Sequence, residues 1–256
     1  MAAGAVSERA WHAIETEAGE VWKDPCADRL LQTLQDIAAS PATSYLVCGE
    51  GPCFGRHPDE LAEAVLIGCA LAFPQHRYVI VGNPRRLHAR LYRLTAREIA
   101  TRLQVHPAGE MLAGLVRAAV GEDRLGDRVL PHAGIVIGTR VEDQEAASHD
   151  LPWLLDIPCA RHLVVIPSTA AHPIELSDLR PLDVPQNGDI DALTGAVYYV
   201  GSMPYRDSIS AWKGKTGKVD WLVFEDTQDL TYHADDLALR AEMLGARVDY
   251  SNGAAI

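Results

Sequence analysis

The sequence predicts an α/β fold, a Rossmann-like three-layer sandwich with a mostly parallel sheet of about six or seven strands preceded by two N-terminal helices. Two observations carry this. Beyond residue 44 the chain holds short, nearly continuous apolar runs, at Tyr45 to Cys48, Tyr78 to Val81, Ile135 to Ile137, Leu163 to Ile166, Val197 to Val200 and Trp221 to Phe224. Runs of this kind read as strands buried on both faces. Amphipathic stretches at Pro58 to Ala72, Arg85 to Leu103, Ala108 to Val120 and His233 to Leu244 lie between several of them. That alternation predicts a doubly wound sheet covered by helices.

Upstream, one helix is predicted across Glu8 to Trp22 and a second after Asp24-Pro25, where Asp24 caps and Pro25 takes the first turn. Residues 1–43 therefore read as a helical segment packed on a single α/β domain of residues 44–256. Within that domain the proline-rich stretch 172–191 (Pro173, Pro181, Pro185 and Asn187-Gly188) reads as a surface excursion, either a lid or a passive connection.

Composition narrows the function classes. The formal net charge of −12 opposes wholesale coating of nucleic acid or anionic membrane. No apolar run approaches the ~20 residues of a membrane span, and the N-terminus turns acidic where a signal peptide is apolar, so a cytoplasmic location without membrane association is the expectation. Five cysteines without a second Cys/His pair suit reduced thiols and argue against a structural metal. Only four lysines occur, so nearly all positive charge is arginine, the side chain suited to bidentate oxyanion contacts.

Ligands of open parallel sheets bind beyond the carboxyl ends of the strands. The first such loop holds Gly49, Glu50, Gly51, Cys53, Gly55, Arg56 and His57 before the helix opening at Pro58-Asp59-Glu60. Its glycines let backbone approach a ligand, and the helix start offers N–H groups to an anion. The spacing matches neither G-x-G-x-x-G nor the Walker A pattern. Cys53 and His57, four residues apart, form a candidate nucleophile and base.

Later strand ends supply Asn83 and Arg85, then Thr139 and Arg140 with Glu142 and Asp143 close behind, then Ser202, and finally Glu225 and Asp226. Glycine followed by polar residues and arginine at several strand ends predicts an anion site drawn from neighbouring loops. In that reading Arg56, His57, Arg85 and Arg140 clamp the anion, while Glu225 or Asp226 acts as base or binds Mg²⁺.

A separate pattern places Arg86, Arg90, Arg93 and Arg97 at spacings of four, three and four, on one face of the helix predicted for residues 85–103. Such a row suits an RNA backbone or a solvated face. The leading expectation is a transferase or hydrolase acting on a nucleotide-like or otherwise phosphorylated small molecule. The alternatives are an RNA-using enzyme or RNA-binding module employing the arginine row, and a non-catalytic interaction protein; oligomeric state is left open.

Overall fold

The computed structural model describes residues 7–10, 27–48, 53–56, 58–107, 109–167, 174–177, 179, 188–200, 209–215, 217–225 and 232–251. Its fold class is α/β, with parallel strand pairing and seven α-helices among the described residues, as a Rossmann-like sandwich requires. The strands of the larger sheet are β1 (Ser7–Ala10), β2 (Thr43–Cys48), β3 (Arg77–Val81), β4 (Ile135–Arg140), β5 (Arg161–Ile166), β9 (Val219–Glu225) and β10 (Arg247–Ser251). Strand order in the sheet is β1-β2-β3-β4-β5-β9-β10, so successive strands are added in chain order without the reversal of a doubly wound sheet. A smaller antiparallel sheet contains β6 (Gly188–Asp191), β7 (Ala196–Val200) and β8 (Ile209–Lys215).

The chain divides into two compact units, Met1–Gly82 with Ala89–Val136 and Asn83–His88 with Ile137–Ile256. In the first, β1, β2 and β3 are parallel neighbours, and Tyr45 lies beside Tyr78 in register with the rings stacked at 5.2 Å. Helix α1 (Ala27–Ala39) buries Leu34 and Ile37. Helix α2 (Glu60–Ala72) starts where Asp59 accepts hydrogen bonds from the Leu61 and Ala62 amides at 2.8 and 3.3 Å. It is buried from Ala62 through Leu71, as an almost wholly apolar helix must be. Gly68 has no side chain, and a Cβ there would press on Leu103 and Leu112, so the glycine lets the two following helices seat closely.

The stretch expected to be one helix from Arg85 to Leu103 is two, α3 (Pro84–Leu91) and α4 (Ala96–Gln104). Thr95 ends the continuity by forming a capping box with Glu98, which satisfies the exposed amides of a new helix start. The arginine row is thereby split between two helices. Arg90 of the row also turns to Glu63 of α2, which is fully buried and held by Arg90 Nε at 2.7 Å and by Arg102 Nη1 at 2.8 Å. A buried carboxylate is tolerated only with such partners, so Arg90 serves packing within its unit. Helix α5 (Gly109–Val120) completes the layer through Leu112, Ala113 and Val116.

In the second unit β5, β9 and β10 are parallel neighbours. Gly138 of β4 approaches Leu163 so closely that a Cβ would meet its Cβ at 2.8 Å. Helix α6 (Gln144–Asp156) was not anticipated, and α7 (Tyr232–Met243) lies close to the expected span. Three further expectations change. Ser7–Ala10 is a strand, so the helix expected from Glu8 does not begin there; the rest of that stretch lies outside the described residues, as do Asp24 and Pro25. Val197 to Val200 belongs to the antiparallel sheet. The stretch 172–191 contains β6, and Leu179 exchanges backbone hydrogen bonds with Ile190 at 3.0 and 2.9 Å while Ile174, Leu176 and Leu179 are buried, so these parts of it are built into the fold.

His162 marks the amino end of β5. Nδ1 lies 3.1 Å from the Lys218 carbonyl and Nε2 lies 3.0 Å from the Ile157 carbonyl. Two carbonyls can be satisfied together only by a ring carrying both protons, which makes buried His162 an imidazolium. Asp220, 3.8 Å from Nδ1 and accepting the His162 amide at 3.0 Å, is its counter-ion. Burial by itself lowers the pKa of His162, but the interactions with Asp220 and Cys159 and with the Ile157 carbonyl outweigh it and raise the value from 6.5 to about 10.

Two predictions follow from these charges. Replacing Glu63 with Gln leaves two arginines facing a neutral amide and lowers the free energy of unfolding by about 3 kcal/mol, measured by urea denaturation; an unchanged midpoint would show that the cluster contributes nothing. For His162, a folded pKa above the unfolded value means its contribution is complete below pH 6.5 and is lost as pH rises through about 10. Urea midpoints of the wild type minus those of His162→Gln should therefore shrink across that window, and a difference independent of pH contradicts the assignment.

Candidate functional site

The second unit gathers polar groups where β4 ends. Strand β4 is buried from Ile135 to Thr139, and its first exposed side chain is Arg140. Arg140 Nη2 lies 3.0 Å from Glu225 Oε2 at the end of β9, and Arg140 Nε lies 3.8 Å from Glu142. Since β5 lies between β4 and β9 in the sheet, this pair bridges the carboxyl ends of two non-adjacent strands. Arg140 remains 48% exposed, and a guanidinium carries five N–H donors, so it keeps capacity for a ligand.

Two residues on, Asp143 caps α6, its Oδ1 accepting the Ala146 amide at 2.7 Å. A cleft of about 410 Å³ opens beside this helix start, lined by Asn83, Asp143, Glu145, Ala146, His149 and Asp150. Ala146, His149 and Asp150 fall three to four residues apart, on one helical face. His149 Nδ1 lies 2.8 Å from Asp150 Oδ1, so a carboxylate fixes the ring's orientation. On the other side, Asn83 caps α3, its side-chain oxygen accepting the Arg86 amide at 3.1 Å, with Pro84 at the first helical position. Nearby, the side-chain amide of Gln144 pairs with both backbone groups of Glu175, at 2.7 and 3.1 Å, which ties residue 175 to the first turn of α6.

This lining carries three carboxylates, an imidazole and an amide, with no arginine or lysine. It suits hydroxyl donors better than a bare anion, and the cation stands at its margin as Arg140. Among the described residues no group of three or more His, Cys, Asp or Glu is arranged to hold a metal ion.

The residues singled out from the sequence divide accordingly. Glu225 and Arg140 are brought together, and Asn83 enters the cleft. Thr139 is 2% exposed and belongs to the core. Arg85 lies over the Trp153 ring, 5.2 Å from its centroid. In the first unit Cys53 and Gly55 are buried, Cys53 at 1% exposure among core residues, and Arg56 is exposed. Gly49, Glu50, Gly51, His57, Ser202 and Asp226 lie outside the described residues. The Ser202 loop follows β7 of the antiparallel sheet, so it does not extend a carboxyl end of the parallel one.

Glu145, His149 and Asp150 escaped the sequence reading because α6 did. The signal was present: Asp143 follows a buried strand by three residues and precedes an acidic first turn, as an N-cap does. Replacing Asp143 with Ala removes that cap and lowers stability by about 1 kcal/mol, whereas Asp143→Asn keeps an accepting oxygen and costs less. Thermal unfolding of the two variants checks this, and equal losses would deny the capping role.

No helix among the described residues is long and apolar enough to cross a membrane. Comparison with known proteins returns no matching family model, no matching curated protein and no matching solved structure.

Proposed function

We propose that the chain is an enzyme, a transferase or hydrolase, acting on a phosphorylated and hydroxyl-bearing small molecule of nucleotide type at the carboxyl end of β4. The observation that carries the reading is the cleft beside α6, where the His149–Asp150 pair lies 2.8 Å apart and faces the same space as Asp143 and Asn83. A carboxylate-oriented imidazole is a proton-transfer device, able to take a proton from an attacking hydroxyl or give one to a leaving group. Asp143 and Glu145 accept from sugar hydroxyls, the use such carboxylates find at strand ends. Arg140 supplies the phosphate contact through the donors not directed at Glu225.

The RNA reading draws less support. The arginine row lies on two helices, and Arg90 is committed to Glu63. A basic surface of that kind needs its cations aligned and available to phosphates.

Thermal-shift titration with nucleoside monophosphates, sugar phosphates and bulk tRNA, each with and without Mg²⁺ and at low and high salt, tests the assignment. The expected result is saturable stabilisation by a small phosphorylated compound, because a ligand stabilises the state it binds. His149→Ala and Asp143→Asn should each weaken that ligand by about tenfold, the scale of one lost charge-assisted hydrogen bond. Silence towards every small compound, or stabilisation by tRNA alone that salt abolishes, overturns the proposal.

A further inference from the structure

The cleft does not account for what continues beyond it. On α6 the cleft-facing positions Ala146, His149 and Asp150 are followed at the same helical spacing by Trp153, about one turn further from the strand end. On α3, Arg85 is two residues beyond Asn83, and its guanidinium lies over the Trp153 ring, 5.2 Å from the centroid. His88 meets the same ring edge-on, with centroids 5.2 Å apart and planes at 73°, and is anchored by Asp156 at 2.7 Å. The indole is therefore held at its edge by one side chain while its face carries a cation. Trp153 is half-buried, but Arg85 is exposed.

A guanidinium is a planar, weakly hydrated cation that stacks on aromatic rings with either face. With one face given to Trp153, the outer face of Arg85 is available to a second ring. We propose that Arg85, positioned by Trp153, is the stacking surface for the planar heterocycle of the ligand, so that the substrate is a nucleoside-type phosphate rather than a simple sugar phosphate. This rests on the cleft reading above and adds to it the part of the ligand that lies away from the phosphate. The role differs from an anion clamp, because it depends on planarity as well as charge. A contact serving only to staple α3 to α6 would affect stability and leave ligand preference unchanged.

The test uses the full chain as wild type, Arg85→Lys and Arg85→Ala, with adenosine 5′-monophosphate and ribose 5-phosphate as probes, and affinities read by calorimetric titration. The lysine variant keeps the charge and removes the plane. The expected result is that the wild type binds the nucleotide about tenfold tighter than ribose 5-phosphate, within the range of one base stacked on a side chain. Both variants should lose that preference while their affinity for ribose 5-phosphate stays within about twofold, and their melting temperatures confirm the fold. Retained nucleotide preference in Arg85→Lys, or equal wild-type affinity for the two probes, overturns the stacking subsite and leaves the cleft standing. Failure of both probes to bind the wild type overturns the subsite together with the cleft reading.

Discussion

A parallel strand buried on both faces has no side chain to spare for chemistry, and the second unit is arranged by that constraint. Strand β4 shows it residue by residue: Ile135, Val136, Ile137 and Thr139 are packed away, and the first polar side chain to emerge is Arg140. Ionisable groups are expelled to the strand ends because burying them unpaired costs several kcal/mol each. At the carboxyl end they meet the start of a helix, whose free amides demand acceptors. Asp143 answers the amides of α6 and Asn83 those of α3. Both also line the cleft. The groups that close the helices are the groups that face the open space.

Charges that do enter the interior are each neutralised within a few ångströms. Glu63 is fully buried between two arginines, and His162, 3% exposed, carries its second proton because two carbonyls and a carboxylate surround it. Neither belongs to the cleft. The His162 cluster lies at the amino ends of β5 and β9, where Gly217 must remain side-chain-free because a Cβ would overlap the imidazole. Cys69 behaves oppositely: it has no counter-charge, and burial pushes its thiol pKa far up, so it packs as a small hydrophobe. Charge in this interior serves to fix how elements pack, while charge at the β4 terminus stays half exposed and open to a ligand.

Apolar periodicity placed five of the six expected strands in the parallel sheet and gave α2, α5 and α7 close to their observed bounds. These elements are specified locally, by runs of β-branched and aliphatic residues and by caps such as Asp59. Misreadings arose where one local signal masked another. The apolar stripe of residues 85–103 obscured the capping box at Thr95, which splits the helix. Pro152 inside α6 read as a breaker although the helix runs through it.

The sequence by itself therefore determined the α/β class, most of the buried strands and the fact that arginine and carboxylate side chains follow several of them. Only the tertiary structure decided which of these meet. Arg140 reaches Glu225 from 85 residues away because β5 alone separates their strands in the sheet, and Arg90 is drawn to a buried carboxylate on another helix rather than left facing solvent. The antiparallel pairing of β7 likewise removed the Ser202 loop from the set of parallel-strand ends. Strand order and the partnering of buried charge are long-range outcomes: they depend on which surfaces exclude water together, and no window of neighbouring residues encodes that.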